Sequence, residues 1–264
     1  MVNFQYKDKY DVDDLKEIVE ILRAPGGCPW DAEQTHESIR RDLLEEAYEV
    51  CEAIDENSTE HLKEELGDLL LQVVFHSSIE AEKKHFDLNE AADGVCKKLI
   101  FRHPHVFGDV TVKDSAEVLA NWDELKRKEK EQKTVTSTLE SVAKSLPALW
   151  RAEKVQHKAA KVGFDWPDVT GALDKLEEEI KELREAVEKG TNVSEELGDV
   201  LFSAVNAARV LDVDPEDALN ASSDKFISRF AYVEKAAAQE GKELHSMTLE
   251  EMDKLYERAK TVNM

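Results

Sequence analysis

The chain has 264 residues and is strongly acidic, with 58 Asp and Glu against 35 Lys and Arg and a net charge of −23 when histidine is neutral. This length fits two ordinary domains or one large one, and the hydrophobic fraction of 41% is enough to bury a core. The charge argues against a protein that binds nucleic acid or an anionic membrane surface, because both partners attract a basic face. If the protein binds a phosphate compound, we expect a cation to bridge the two.

The composition predicts a helical, cytoplasmic protein. Ten glycines and six prolines are too few for an architecture of strands and turns. The N-terminus lacks the apolar core of a signal peptide, and no apolar run reaches the roughly 18 residues of a membrane helix. Cys28, Cys51 and Cys96 are far apart in the sequence. This spacing predicts small buried thiols and neither a disulfide framework nor a zinc site.

The sequence repeats itself. Four blocks recur in the same order: Leu43–Ile54 as Leu176–Val187, Glu64–Leu71 as Glu195–Phe202, Lys98–Arg102 as Lys225–Arg229, and Trp122–Lys126 as Tyr256–Lys260. The offset is 133, 131, 127 and 134 residues in turn, so it changes between blocks, as expected if only the loops differ in length. We therefore predict an all-α fold of tandem duplicated helical-bundle domains, at residues 1–133 and 143–264, joined by a linker at 134–142.

The first two blocks of each copy predict a helical hairpin that carries acids. Apolar residues recur at helical spacing over Leu43–Ile54 and Leu176–Val187, and the acids lie at one edge of each stripe. Short connections make the two helices of each pair antiparallel neighbours. We therefore expect the carboxylates of one helix to face those of the other, beside the apolar seam and near water.

Short sequence signals mark the ends of these helices. Asn57 and Asn192 are predicted to cap the second helix of each hairpin, and Gly190 is predicted to end the preceding helix in the second copy. Gly67 and Gly198 stand at matching places inside helices, where glycine costs about 1 kcal/mol against alanine. We expect two backbones to approach closely at these glycines.

The acids themselves predict a metal site. In so acidic a chain a single EExxE triple arises by chance and usually forms a solvated helix face, but here the triple is followed by ExxD and the whole arrangement occurs twice. Four carboxylates that face one another repel unless a cation lies between them. Oxygen ligands without His or Cys favour Mg²⁺, with Mn²⁺ as a substitute. A di-iron bundle needs Glu-x-x-His, whereas Glu65 and Glu196 are each followed by Asp at i+3.

The combined motifs resemble a known family. EExxE with ExxD, together with Gly26–Asp31, Arg102–Phe107, Ser145–Leu149 and Val162–Asp165, resembles the MazG family of the all-α nucleoside triphosphate pyrophosphohydrolases over nearly the whole chain. The resemblance implies Mg²⁺-dependent hydrolysis of nucleoside triphosphates to monophosphate and pyrophosphate by an α-helical homodimer. The metal ligands that it implies are Glu179, Glu182, Glu196 and Asp199 in the second copy and Glu46, Glu49, Glu65 and Asp68 in the first.

The chemistry of phosphate cleavage suggests further roles. An attacking water needs a base, and an outer glutamate, Glu178 or Glu195, is the candidate beside the catalytic carboxylates Glu179 and Glu182. The family usually uses its second domain for catalysis, and we expect the same here, although the first copy keeps all four acids.

Basic and aromatic residues of the later blocks are candidates for nucleotide binding. Two bases one turn apart would hold phosphate oxygens, and a large aromatic would border the nucleobase. The alternatives are solvated bases and core aromatics. The predicted residues are Lys225, Arg229 and Tyr256, with Lys98, Arg102 and Trp122 in the first copy, and the resemblance adds Lys175.

Other aromatic residues are expected to be structural. Phe164 and Trp166 are predicted to lie in the core. His103 and His105 look like a ligand pair, but they flank Pro104, and packing is the favoured role. Pro104 is predicted to break the helix and fold a loop beside the first pocket.

Two other functions stay open. A dUTPase-like or phosphoribosyl-ATP pyrophosphohydrolase would share the scaffold and differ in base selectivity. A nucleotide-sensing or partner-binding module would bind at one or both sites without turnover.

Overall fold

The computed structural model of the protein describes residues 4–129 and 134–261, and these residues contain helices and no strand. The predicted all-α fold is thus confirmed. In chain order the helices are α1 (Val12–Arg23), α2 (Pro29–Glu33), α3 (Arg40–Asp55), α4 (Thr59–Glu82), α5 (Leu88–Arg102), α6 (Pro104–Phe107), α7 (Ser115–Glu129), α8 (Val135–Glu140), α9 (Ala148–Ala160), α10 (Val169–Lys189), α11 (Val193–Val210), α12 (Pro215–Gln239) and α13 (Leu249–Ala259), with a 3₁₀ turn at Leu244–Ser246. None of these helices is long and apolar enough to span a lipid bilayer.

The chain divides into two compact units, residues 1–126 and 127–264. In the first unit α3 and α4 form the predicted hairpin, α1 packs on α2 and α4, and α5 packs on α4. The buried core consists of Val19, Ile39, Val74, Phe75 and Ile79. Three of these residues belong to the C-terminal half of α4, so the N-terminal half, which carries the acids, lies outside the core.

The second unit repeats this hairpin with α10 and α11. Helix α9 packs against both α11 and α12, and the Gln156 side chain on α9 donates a hydrogen bond to the carbonyl of Phe202 on α11 at 2.7 Å. The buried cluster of this unit lies elsewhere, between the end of α12 and α13, and consists of Val233, Ala237, Met247 and Leu255. The acidic hairpin is therefore built on helix-to-helix contact and not on a large apolar core.

The hairpin connections use left-handed residues. Gly190 ends α10 with φ of 68°, as predicted, and Asn57 has φ of 53° at the end of α3. The predicted caps are only partly right. Ser58, not Asn57, caps α4 by accepting a hydrogen bond from the backbone N–H of His61. Asn192 stands at the cap position of α11, but its left-handed backbone (φ of 56°) is not the extended cap conformation, and its side chain makes no capping bond.

Some expectations about burial were wrong. Cys51 and Cys96 are exposed free thiols, because they lie on the outer faces of α3 and α5. Gly67 and Gly198 do not mark a close approach within the chain, since a Cβ at either position would meet no atom within 4 Å. Phe164 and Trp166 are not core residues, because they lie in the connection between α9 and α10 with 82% and 44% of their surfaces exposed.

The segment around residue 134 contains a helix. Thr134 and Ser137 form a capping box that starts α8, and α8 packs on α9. The residues expected to link the two domains are thus ordered as part of the second unit. Four of the residues before them, 130–133, lie outside the described residues, together with 1–3 and 262–264.

Candidate metal and nucleotide site

The predicted acids of the second unit converge across the hairpin. Glu179 on α10 and Glu196 and Asp199 on α11 each offer a carboxylate oxygen, and these oxygens lie within 4.8 Å of one another. Glu182, one turn along α10, lies outside this group of three but close to Glu179, because burial and then the charge of Glu179 raise the pKa of its carboxyl. The four residues stand at the i and i+3 positions of two facing helices, which is the arrangement that the sequence predicts.

The first unit has a closely related cluster. Oxygens of Glu46, Glu49 and Glu65 lie within 4.8 Å of one another. The pKa of Glu46 is raised, first by burial and then by the charge of Asp68, so the fourth predicted acid is also close. Each copy therefore brings three of its four predicted carboxylates together, with the fourth, Asp68 or Glu182, close to one of them.

The burial of the acids reverses the sequence-based expectation. Glu179 is 6% exposed and Glu65 is 9% exposed, whereas Ile180 and Val187, predicted to line the seam, are 39% and 60% exposed. A helical wheel fixes the angle between two side chains but not which of them faces the neighbouring helix. The hairpin turns its first acids inward and leaves apolar side chains outside.

Each buried carboxylate has a cationic or titratable partner. Lys175 Nζ lies 2.7 Å from an oxygen of Glu179 and 2.9 Å from one of Glu178. The first copy has Asp42 at the position 133 residues earlier, and it uses His61 instead, with Nε2 3.1 Å from Glu65. Such pairing offsets the cost of removing a carboxylate from water.

His61 was not identified from the sequence. Its Nδ1 lies 2.8 Å from Glu56, and this hydrogen bond raises the pKa of the imidazole. The i,i+4 spacing of His61 and Glu65 was the available signal, but it is too common on helices to stand out in an acidic chain. The two units thus share a carboxylate cluster and differ in the side chain that neutralises it.

The predicted basic and aromatic residues meet each other. Arg229 on α12 lies over the ring of Tyr256 on α13, with 5.8 Å from its Cζ to the ring centroid. The first unit repeats this pair, with Arg102 at 5.4 Å from the ring of Trp122. Lys225 is exposed one turn before Arg229. Each predicted arginine therefore stands on the aromatic residue that was predicted to border the base.

No ion pair joins these bases to the acids. Among the described residues, Lys225 and Arg229 have no carboxylate of the α10–α11 hairpin within salt-bridge distance. In the second unit, the acidic cluster on α10 and α11 and the Arg229–Tyr256 pair are thus both formed, but no ion pair links one to the other. The outer glutamates Glu178 and Glu195 and the lysine Lys98 are all exposed.

The flanking residues of the first copy also follow the predicted packing. Helix α5 ends at Arg102, and Pro104 begins the short helix α6, so proline does break the helix. The His103 ring packs edge-on against Trp122 at 4.7 Å. His105 lies 5.6 Å from His103.

The donor set fits a hard divalent cation. The ligand atoms that converge in each cluster are carboxylate oxygens, and Mg²⁺ and Mn²⁺ prefer such ligands. The raised pKa values of Glu46 and Glu182 are signs of like-charge crowding and burial, and a cation would relieve the crowding.

Comparison with known proteins identifies the family. The model of the MazG nucleotide pyrophosphohydrolase domain matches the chain twice, at residues 34–107 and 169–234. These stretches contain both acidic hairpins. The chain belongs to the MazG family. The predicted duplication and the predicted class of enzyme, a nucleoside triphosphate pyrophosphohydrolase, are confirmed at this level.

Individual relatives match nearly the whole chain. The nucleoside triphosphate pyrophosphohydrolase/pyrophosphatase MazG of Thermotoga maritima is 44% identical, over 94% of this chain and 95% of its own length. The nucleoside triphosphate pyrophosphohydrolase of Escherichia coli K12 is 43% identical, over 94% of this chain and 97% of its own length. The uncharacterized protein YabN of Bacillus subtilis is 47% identical over 93% of this chain, which corresponds to 51% of YabN.

Proposed function

We propose that this protein hydrolyses nucleoside triphosphates to the monophosphate and pyrophosphate, with Mg²⁺, at the acidic hairpin of its second unit. The observation that carries the proposal is the convergence of carboxylate oxygens of Glu179, Glu196 and Asp199 within 4.8 Å of one another. The half-buried Lys175 forms an ion pair with the buried Glu179 beside them. Family membership supplies the reaction class. The substrate is a nucleoside triphosphate, and Mn²⁺ is the expected substitute for Mg²⁺.

The metal would be held by Glu179, Glu182, Glu196 and Asp199. When bound, it supplies positive charge to the phosphate oxygens and polarises the attacking water. The protein's own contribution is to hold these carboxylates in place on two paired helices, so that they need no rearrangement to accept the ion.

A glutamate of the hairpin would take the proton of the attacking water. The water oxygen forms a bond to one phosphorus of the α–β linkage, the bridging oxygen leaves with the other phosphorus, and the base accepts the proton. Glu178 accepts a hydrogen bond from Lys175 at 2.9 Å, so one of its oxygens is already occupied. Glu195 has an exposed side chain on the first turn of α11 and makes no side-chain contact of this kind among the described residues. We therefore assign the base to Glu195.

Lys175, Lys225 and Arg229 would bind the phosphates, and Tyr256 would border the nucleobase. Arg229 already lies over the Tyr256 ring, so a nucleotide bound there would find a charged and a stacking group together. In the first unit the corresponding residues are Lys98, Arg102 and Trp122.

One difference favours the second unit as the catalytic one. Lys175 stands beside its acidic cluster, where the first copy has Asp42. A further carboxylate repels a triphosphate, whereas a lysine attracts it. The first unit also exposes Leu44 and Tyr48 next to Glu49, where the second copy has the charged residues Glu177 and Lys181. We infer that the first unit binds metal and has a different or narrower role.

The family resemblance implies a homodimer, and exposed apolar side chains of the second unit are consistent with it. Leu197, Leu201 and Ile227 are 47%, 52% and 63% exposed, and such side chains offer a surface for a second protomer. Because the net charge is −23, we propose no nucleic-acid or membrane partner. We also propose a cytoplasmic location.

Product analysis tests this function. Purified protein is incubated with ATP, GTP, CTP, UTP, ITP, dUTP and phosphoribosyl-ATP, with Mg²⁺ or EDTA, and the products are identified by chromatography. We expect monophosphate and pyrophosphate in Mg²⁺ only. Diphosphate and orthophosphate, or equal rates in EDTA, would refute the proposal. Strict preference for dUTP or phosphoribosyl-ATP would favour the narrower enzymes of the same scaffold, and binding without turnover would favour a sensing module.

A further inference from the structure

Two histidines of the first unit stack on each other. His36 lies in the connection between α2 and α3, and His76 lies on α4, about two turns beyond Asp68. Their rings are 13° from parallel with centroids 5.0 Å apart, and their Nδ1 atoms lie 2.7 Å from each other. Neither histidine has a role in the function proposed above, and both lie outside the acidic cluster.

The surrounding groups decide which ring nitrogens carry a hydrogen. Nε2 of His36 lies 2.7 Å from a carboxylate oxygen of Glu80, and because a carboxylate only accepts, this nitrogen donates. In a neutral His36 the Nδ1 atom is therefore an acceptor, and Nδ1 of His76 donates to it. Nε2 of His76 then carries no hydrogen, which fits its buried position without a hydrogen-bond partner among the described residues.

A proton on either ring disturbs this arrangement. If His36 is charged, both of its nitrogens donate, so His76 has to accept at Nδ1 and carry its own hydrogen at the buried Nε2. If His76 is charged, the same buried nitrogen carries a hydrogen, and two N–H groups also face each other. A buried N–H without an acceptor is unfavourable. Burial, and then the charge of His36, accordingly lower the pKa of His76.

The acids beside the pair do not compensate for this cost. Glu80 also accepts hydrogen bonds from Lys83 and His85, both at 2.8 Å, so its charge is shared among several donors. Glu37 is the other acid that faces His36. Hydrogen bonds from its own backbone come first among the causes that lower the pKa of Glu37, and the charges of His36 and Lys83 add to them. This carboxylate is exposed, and water screens its attraction for a charged ring.

The helices that pack on α4 add no unpaired charge to this region. Helix α1 places Arg23 over the ring of Phe75, at 5.0 Å, but Glu82 on α4 pairs with this arginine at 2.7 Å. Among the described residues, no acid or base of α3 or α5 forms an ion pair with either histidine. Arg23 also binds the carbonyl of Gln34 at 3.3 Å, and Ile39 lies in the core cluster. The connection is thus anchored at both ends, and His36 attaches its middle to α4.

We propose that His36 and His76 form a latch that holds the α2–α3 connection on α4 while both rings are neutral and releases it when either ring takes up a proton. Helix α3 begins at Arg40, directly after the connection, and it carries the first acidic cluster. Mild acid should therefore loosen the first unit. The second unit has Ala207 at the position 131 residues beyond His76, so it lacks this pair. The inference goes beyond the proposed function and does not depend on it.

Proton linkage gives the size of the effect. The closed latch keeps His76 neutral, whereas in the released state this ring has an ordinary pKa of about 6.5. A histidine whose pKa is lowered in the folded state gives its full stability above that pH and loses it as the pH falls further. Between pH 7.5 and pH 5.5, proton uptake by one such ring raises the ratio of open to closed latch about tenfold.

Amide hydrogen exchange of the peptide that spans residues 34–43 measures the opening. The backbone N–H groups of Ile39 and Leu43 donate to the carbonyls of Thr35 and Ile39, so their exchange requires this segment to open. In EDTA and without nucleotide, we expect the protection of the peptide, corrected for the intrinsic pH dependence of exchange, to fall about tenfold from pH 7.5 to pH 5.5. Unchanged protection in the wild type would overturn the inference.

Two variants assign the response to the histidine pair. His76→Phe keeps an aromatic ring against His36 but has no buried nitrogen, so protection should stay high at both pH values. His36→Gln removes the ring from the connection, so protection should already be low at pH 7.5 and should not fall further. Circular dichroism at pH 7.5 first shows that each variant is folded. A tenfold fall in both variants, as in the wild type, would mean that other groups open the segment and would refute the latch.

A control histidine separates the latch from general effects of acid. His245 is an exposed histidine of the second unit, with 81% of its side chain accessible. His245→Gln should keep the wild-type fall in protection of residues 34–43. Loss of the response in this control would contradict the assignment to His36 and His76. Because no nucleotide or metal is present, failure of the proposed function would leave this measurement unaffected.

Discussion

Magnesium should stabilise the protein by an amount that can be worked from the acidic clusters. In the second unit, three carboxylates lie within 4.8 Å of one another. The Coulomb repulsion between two carboxylates at this distance is about 0.9 kcal/mol in a water-like dielectric and about 3.5 kcal/mol at an effective dielectric constant of 20. Because Asp199 is exposed, we take the lower value, which gives about 3 kcal/mol of repulsion for the three pairs.

A cation that binds only the folded state removes this repulsion and shifts the melting temperature. At a hundredfold excess over its Kd it adds about 2.7 kcal/mol to the free energy of unfolding. For a unit of this size, 1 kcal/mol corresponds to about 4 °C, so the expected rise is roughly 10 °C. Calorimetry in EDTA and in millimolar Mg²⁺ measures it directly.

Paired variants assign the shift to each site. Glu179→Gln with Glu196→Gln should abolish the shift of the second unit, and Glu46→Gln with Glu65→Gln should do the same for the first. Without metal the first double variant should be at least as stable as the wild type, because it removes all three repulsive pairs. No shift in the wild type, or a full shift after all four substitutions, would refute this account of the clusters.

Three further outcomes are expected. Burial and the charge of Glu179 raise the pKa of Glu182 above its usual 4.5, so protons compete with Mg²⁺ at a higher pH than for an ordinary glutamate. The Mg²⁺-induced rise in melting temperature should therefore begin to decline before the pH falls to 4.5. A constant rise down to about pH 4 would contradict this. Hydrogen bonds from Lys83 and two histidines lower the pKa of Glu80 to about 2. The stability that the Glu80 carboxylate gives the first unit is therefore complete above about pH 4.5 and is lost as the pH falls towards 2. Glu80→Gln should lower the urea midpoint at neutral pH and flatten its dependence on acid pH, and an unchanged dependence would count against these hydrogen bonds as its cause. Leu255→Ala should destabilise the second unit by about 2–5 kcal/mol because this leucine is 1% exposed, with the melting of the first unit as the internal control.

The hairpins and their acids were predictable because their spacing is local. The i,i+3 spacing of Glu196 and Asp199 fixes them on one face of α11, and Gly190 marks the end of α10 before it. Repetition separated these acids from the many others of the chain. The same repeat also selected Arg102 and Trp122 as candidates, but their contact with each other was not predicted.

Burial was not predictable, because it depends on neighbours that the sequence pattern does not specify. Glu179 turns inward while Val187 is exposed, although the helical wheel favours the opposite. The expected close approach at Gly198 also failed within the chain. The pairing of Lys175 with Glu179 needed coordinates as well, since many i,i+4 pairs in this sequence have the same spacing.

The central claim is that the acidic cluster of the second unit performs the cleavage, and pyrophosphate release from two single variants tests it most directly. Glu179→Gln and Glu46→Gln are isosteric, and each removes one carboxylate charge from one cluster. We expect Glu179→Gln to reduce kcat at least about 100-fold, which corresponds to about 3 kcal/mol in the barrier, and Glu46→Gln to keep most of the wild-type rate. Equal losses, or a larger loss from Glu46→Gln, would contradict the claim.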